Sequence, residues 1–297
     1  MDFGQIITAM ITPFNHNEEI DYGNTTRLVH YLIENGTDAI VVSGTTGESP
    51  TLSTEEKLSL FEHVKKAAEG RAKVIAGTGS NNTKASIELT KEAEKLGVDG
   101  VMLVAPYYNR PNQQGLYEHF KAIAASTSLP VMIYNIPGRT GVNIDADTIV
   151  KLAEIDNVVS VKEASGNLDQ MANIIENTPD DFELYSGDDG LTLPVLAIGG
   201  KGVVSVASHV IGNEMKQMIQ SFQNGDLTRA AAIHRKMLPV VKALFSQPSP
   251  APLKAALELQ GLDSGVLRLP LVKVDEALKN QIGQIIESFK ESVKSLG

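Results

Sequence analysis

The sequence predicts an α/β fold: a (β/α)8 TIM barrel carrying a small C-terminal helical domain. Three observations predict it. Eight short apolar runs recur along the first two thirds of the chain. Polar–apolar segments with helical spacing separate them, and strand followed by helix, repeated, means parallel strands with right-handed crossovers. After about Gly212 the strand signal stops and amphipathic helical patterns take over.

The runs fall at residues 6–11, 39–42, 74–76, 101–105, 131–134, 158–161, 182–185 and 203–207. Several start just after a turn signal such as "NGTD", "LGVDG" or "TSLP". Between the second and third lies "STEEKLSLFEHVKKAAEG", where Leu58, Phe61, Val64 and Ala68 share one helical face. Ser53 or Thr54 is its N-cap, with acids in the first turn. Eight units close into a barrel whose usual size is ~250 residues. The competing open doubly wound sheet usually has fewer strands, and no G-x-G-x-x-G opens the first helix. Residues 1–224 form the expected barrel and residues 225–297 the helical domain, in which the Pro/Ser hinge "SQPSPAP" separates two helical stretches.

Composition narrows the function classes. The chain has 297 residues, 21% of them charged, and a formal net charge of −10. That acidity argues against a nucleic-acid binder and against a cationic membrane face. With no cysteine, disulfides, thiolate nucleophiles and Cys-ligated zinc are excluded together. The N-terminus "MDFGQIITAMITPF" has no basic n-region, and no apolar run approaches the ~20 residues of a membrane span. The expectation is a cytoplasmic protein.

One residue breaks the apolar pattern. In "VVSVKEASG" Lys162 closes a run that should be continuously apolar if buried on both faces. Active sites in this fold lie at the C-terminal ends of the strands. There the sequence places "SGTTGES", "AGTGSNNT", "APYYNRP", "YNIPGRTG", "VKEASG", "YSGDDG" and "VVSVAS". Lysine, tyrosines, hydroxyls and an arginine thus converge on one mouth. A neutral amine in such a cavity is the nucleophile that attacks a carbonyl and forms a Schiff base, and Lys162 is the candidate. Tyr134, at a strand end, is a candidate for proton transfer. Thr45 and Thr46 offer hydroxyls and backbone amides to a small carboxylate, unless "GTTGES" is a plain turn with Glu48 near a helix N-terminus. Arg139, in a Pro/Gly turn, is either solvated or a fork for a substrate carboxylate. "GGKGVV" lacks P-loop spacing, and Asp188 and Asp189 have no partners at other strand ends that would favour a metal.

Taken in order, "GTTGES", "AGTGSNNT", "PYYNRP", "YNIPGRTG", "VKEASGN", "SGDD" and "GVVSV" resemble the dihydrodipicolinate synthases of the pyruvate-dependent class I aldolase superfamily. The resemblance runs from Gly4 to about Pro270. It implies a lyase that condenses pyruvate with L-aspartate-4-semialdehyde in diaminopimelate and lysine biosynthesis, with no cofactor and no metal. Pyruvate condenses with Lys162, the enamine attacks the aldehyde, and transimination by the substrate amine frees the lysine. Tyr134 matches the proton donor and acceptor, and Thr45 and Tyr108 its relay to solvent. Thr46 and Val204 match pyruvate contacts, Arg139 the semialdehyde carboxylate site, and Gly187 a pocket-lining position. The resemblance further implies a homotetramer, a dimer of dimers in which Tyr108 serves the neighbouring subunit. Lysine-inhibited members carry a histidine and a glutamate where this chain has Lys57 and Ala85, so weak or absent lysine inhibition is expected.

A sister aldolase on the same scaffold would keep Lys162 and Tyr134 but give no reason for Arg139 or the Thr45–Tyr134–Tyr108 set. A non-catalytic ligand sensor should have lost the lysine or the tyrosine.

Overall fold

The computed structural model describes residues 2–294. Residue 1 and residues 295–297, part of the expected barrel and last helix, lie outside the described residues. The strands are β1 (Ile6–Ala9), β2 (Ala39–Val42), β3 (Lys73–Gly77), β4 (Gly100–Val104), β5 (Val131–Asn135), β6 (Val158–Glu163), β7 (Glu183–Ser186) and β8 (Gly202–Ser205). They run parallel in chain order and close where Ile7 of β1 pairs with Val204 of β8. Closure rules out the open sheet.

The helices of the barrel are α1 (Tyr22–Glu34), α2 (Thr54–Ala68), α3 (Thr83–Lys95), α4 (Gln113–Ala124), the single turn α5 (Pro137–Thr140), α6 (Ala146–Ala153), α7 (Leu168–Asn177), the short α8 (Thr192–Ala197) and α9 (Ser208–Gln223). Helix α2 starts at a capping box in which Ser53 and Glu56 satisfy each other's backbone donors. Its buried face is Leu60, Phe61, Val64, Ala67 and Ala68, with Leu58 half-buried at the margin.

Alternation along each strand sorts the apolar residues. Ile7, Val41, Ile75, Met102, Met132, Tyr185 and Val204 fill the barrel interior. Ile6, Ile40, Val74, Val101, Ile133, Leu184 and Val203 pack outward in the cluster shared with the helices. Both faces are covered, which is why the runs read as nearly continuous Val, Ile and Leu.

β6 departs from strict alternation. Val131 pairs with Val158, but Met132 pairs with Ser160, so one residue of β6 is extra. Val158 and Val161 consequently both pack outward, although they are three apart. The bulge inverts the parity beyond it, and Lys162 joins Tyr134 on the inside. Uniform alternation from Val158 would have turned Lys162 outward.

Three helices follow the barrel: α10 (Leu227–Leu244), α11 (Ala251–Leu259) and α12 (Glu276–Lys294). The sequence pattern did not anticipate α11, whose first residues belong to the expected hinge. Pro252 sits in its first turn, where the missing N–H is not needed. Ile233, Leu253, Ile282 and Phe289 share one apolar cluster with the outer face of the barrel. No helix among the described residues is long and apolar enough to cross a membrane.

A buried histidine ties the first and last strand ends together. His209 is fully buried; its Nε2 accepts from the Ile11 N–H at 3.2 Å, and its Nδ1 lies 2.9 Å from the Val206 carbonyl. A carbonyl requires N–H on Nδ1, so this ring is neutral. Burial lowers its pKa to about 4. Unfolded histidine titrates near 6.5, so between those values only the unfolded chain binds the proton. The stabilisation is complete above pH 6.5 and is lost as pH falls toward 4, by about 3 kcal/mol. Urea melts from pH 7 to pH 4 should show wild type losing more stability than His209→Gln, which keeps a donor and an acceptor but cannot ionise. Parallel losses would show that His209 does not carry the acid sensitivity.

Candidate active site

Lys162 and Tyr134 are paired neighbours on β6 and β5. Both are buried, at 6% and 4% exposure, and the Lys162 Nζ lies 4.0 Å from the centre of the Tyr134 ring. Tyr185, paired with Lys162 from β7, sends its hydroxyl away to the Glu183 carboxylate at 2.6 Å. Of the two tyrosines flanking Lys162, Tyr185 is thus committed to the opposite end of the barrel.

A cavity of about 270 Å³ opens at the C-terminal ends of the strands, lined among others by Thr45, Ser49, Lys57, Tyr107, Tyr134 and Arg139. Among the described residues, Lys57, Arg139 and Lys162 have no acidic partner within 4.0 Å. Lys57 and Arg139 line the cavity, so two unpaired basic side chains make its mouth locally positive in a chain of net charge −10. Lys57 is more than the surface-helix residue its position in α2 suggests; it is half-buried against the cavity, and desolvation lowers its pKa. Ala85 is exposed.

A larger, more open depression of about 820 Å³ lies at the other end of the barrel. There Lys201 pairs with Glu183 at 2.7 Å and with Asp2 at 3.5 Å. It faces the N-terminal ends of the strands, where this fold keeps stability rather than chemistry.

The loops at the mouth are held from behind. Asn135 points out of the barrel and donates to both Glu163 oxygens, at 2.9 and 3.1 Å, while its carbonyl oxygen accepts from the Ile144 N–H at 3.0 Å. Glu163 also accepts from the Ser165 N–H at 2.7 Å and from Gln170 at 3.0 Å. This buried carboxylate anchors both ends of the segment that carries Arg139, itself exposed on α5. Asp189 accepts from the Ser205 hydroxyl and from the N–H groups of Val206 and Ala207, at 3.1 and 3.2 Å, and so braces the end of β8. Burial raises its pKa. Gly187 packs tightly on β6, where an added Cβ would come within 2.6 Å of the Ala164 Cβ. Lys162, Gly187, Val204 and Thr46 do not line the cavity of the single chain; Lys162 reaches it only through the Tyr134 ring it packs on, Val204 is in the barrel interior and Thr46 is buried.

Tyr108 is 91% exposed and held at a φ of 72°, a strained conformation for a tyrosine. Its neighbour Tyr107 lines the cavity instead. Among the described residues no hydrogen bond joins the Thr45, Tyr134 and Tyr108 hydroxyls.

The model of the dihydrodipicolinate synthetase family matches residues 2–289. The chain belongs to that family. It is 63% identical over 282 residues to 4-hydroxy-tetrahydrodipicolinate synthase 1 of Halalkalibacterium halodurans, covering 95% of this chain and 96% of that protein. It is 60% identical to the 4-hydroxy-tetrahydrodipicolinate synthase of Bacillus subtilis, covering 93% and 96%. The crystal structure of a dihydrodipicolinate synthase from Bacillus anthracis superposes with a TM-score of 0.96 at 58% identity, covering 97% of this chain and 99% of the other.

Sequence reasoning missed Glu163, Lys254 and Arg268. Glu163 had a signal, since a second charge directly follows Lys162 on a buried strand. The other two had none, because their partners lie some two hundred residues away.

Proposed function

We propose that this chain condenses pyruvate with L-aspartate-4-semialdehyde to give 4-hydroxy-tetrahydrodipicolinate, the step that opens diaminopimelate and lysine biosynthesis. One observation carries the reading: Lys162 is buried at the C-terminal end of β6 against the cavity-lining Tyr134, and among the described residues no acid pairs with it. Its amine adds to the keto carbon of pyruvate and water leaves. The cationic imine draws electrons from the adjacent carbon, so a methyl proton is lost and an enamine forms. The enamine carbon attacks the semialdehyde aldehyde. The substrate amine then displaces Lys162 as the ring closes. Tyr134 exchanges protons through Thr45 and a neighbouring subunit's Tyr108, since a phenol trades protons well only along a chain of hydrogen-bonded hydroxyls. Thr46 and Val204 hold pyruvate, Gly187 shapes the pocket, and Arg139 binds the semialdehyde carboxylate.

The test is to incubate the protein with pyruvate, reduce with borohydride and locate the adduct by peptide mass. A pyruvate adduct on Lys162 is the expected result; no adduct, or one elsewhere, overturns the reading.

Arg139→Ala should raise the apparent KM for the semialdehyde roughly ten- to a hundred-fold, the size of a lost charge-assisted hydrogen bond, and change that for pyruvate far less. Initial rates with each substrate varied in turn check this. Equal effects would make Arg139 structural.

The working unit is a homotetramer, a dimer of dimers sharing Tyr108 across the tighter interface. Its exposure and strained backbone support this, since an unpartnered tyrosine gains nothing from such a conformation. Mixing Tyr108→Phe with Lys162→Ala subunits should restore activity, because each mixed dimer contains one intact site. Verified hybrids with no recovery would count against sharing.

A further inference from the structure

We infer that α11 and the segment after it clasp the loop bearing Thr45 and Thr46, and that the buried Glu48–Lys254 ion pair sets its position for pyruvate. The inference rests on the function proposed above.

The loop moves as one piece. The Glu48 N–H donates to the Thr45 carbonyl at 3.1 Å, the Ser49 N–H to the Gly44 carbonyl at 3.3 Å, and the Thr12 hydroxyl to the Gly47 carbonyl at 2.7 Å. A shift of Glu48 is therefore a shift of Thr45 and Thr46. Glu48 itself has a φ of 56°, a left-handed conformation that an L residue adopts only when its surroundings impose it.

What imposes it comes from the far end of the chain. The Glu48 side chain makes no helix-capping bond, contrary to its position before a helical turn. It runs behind the loop, where its carboxylate meets the Lys254 Nζ at 2.8 Å and accepts from the Arg268 N–H at 3.0 Å. Both charged side chains are buried, at 0% and 4% exposure. Lys254 also donates to the Val266 carbonyl at 2.7 Å and lies 4.7 Å from the centre of the Phe14 ring. The Arg268 guanidinium lies 4.3 Å from the centre of the same ring, donates to the Thr51 carbonyl at 2.8 Å, and grips Glu56 of α2. Gly265 lies so close to the Phe14 carbonyl that an added Cβ would overlap it, and its φ is 71°. Residues 254–268 thus hold both ends of the turn from Glu48 to Thr51.

A buried ion pair is a poor way to gain stability. Desolvation offsets much of its attraction, and apolar replacements of similar volume are often as stable. What the pair supplies is direction. An apolar contact tolerates sliding, whereas each of these charges is also pinned by a backbone group, Glu48 by the Arg268 N–H and Lys254 by the Val266 carbonyl, so the pair admits one arrangement. Glu48, Lys254 and Arg268 are positioning residues; none touches the cavity.

The decisive variant is the double Glu48→Gln, Lys254→Met, which replaces the pair with neutral groups of similar size. It should assemble and melt near wild type. Its kcat/KM for pyruvate should fall roughly ten- to a hundred-fold, as misplaced groups do, with borohydride trapping at Lys162 slowed in parallel. The KM for the semialdehyde should change less than about two-fold, because Arg139 sits on another loop. A folded double variant with wild-type kcat/KM for pyruvate would overturn the clasp. If that variant does not fold, Arg268→Met decides. It keeps the backbone N–H on Glu48 but releases Thr51 and Glu56, and should raise the pyruvate KM at least about three-fold. An unchanged value sinks the inference. Absence of any Lys162 adduct in wild type would defeat the proposed function instead, so the two failures are distinguishable.

Discussion

Lys162→Ala should yield no reducible pyruvate adduct and lose turnover on the order of 10⁴-fold or more, as removal of a covalent nucleophile does. The fold should survive, because among the described residues Lys162 makes no ion pair and its side chain packs on the Tyr134 ring of the apolar barrel interior. Among the described residues the lysine that lines the cavity is Lys57, which reaches it from α2 and does not face Tyr134 across a strand pair as Lys162 does. Borohydride trapping on the variant, read by peptide mass, tests both points at once. An adduct on Lys57, with turnover to match, would show that the nucleophile had been misassigned.

Tyr134→Phe should turn over ~10²–10⁴-fold more slowly, the usual contribution of a general acid–base group, while still forming some adduct on Lys162. The ring remains beside the Lys162 amine, so packing is preserved. Among the described residues the hydroxyl makes no hydrogen bond within the chain, so its loss leaves no partner unsatisfied. Stability should therefore be near wild type, and the defect confined to proton transfer. Comparing the rate of adduct formation with steady-state turnover separates the two. Wild-type turnover in a folded variant would remove Tyr134 from the chemistry.

Much of this was legible before any coordinates. Eight apolar runs bounded by turn signals became eight strands within a few residues of their expected limits. The lysine ending the sixth run was conspicuous because a strand buried on both faces has no ordinary use for one. The start of α2 was readable as an N-cap at Ser53 or Thr54 followed by acids, and the structure places the cap at Ser53, in a capping box with Glu56. These are local signals: burial, propensity and capping act between residues a few positions apart, so composition and spacing record them directly.

What the tertiary structure decided depends on pairing between distant segments. Which way Lys162 points is set by a bulge against β5; no feature of "VVSVKEASG" alone distinguishes inward from outward. The anchoring of the Arg139 segment by Glu163 and Asn135 needed two strands side by side. Glu48 looked like part of a turn until α11 and the segment after it brought Lys254 and Arg268 within reach, a meeting across two hundred residues. Spacing alone did not separate Tyr108 from Tyr107, and only the resemblance assigned the relay to Tyr108; in the fold one faces solvent and the other the cavity. A one-dimensional pattern states how much of a residue must be buried. The partner that buries it, and the direction it then faces, follow from strand register and chain closure, which exist only once the barrel has formed.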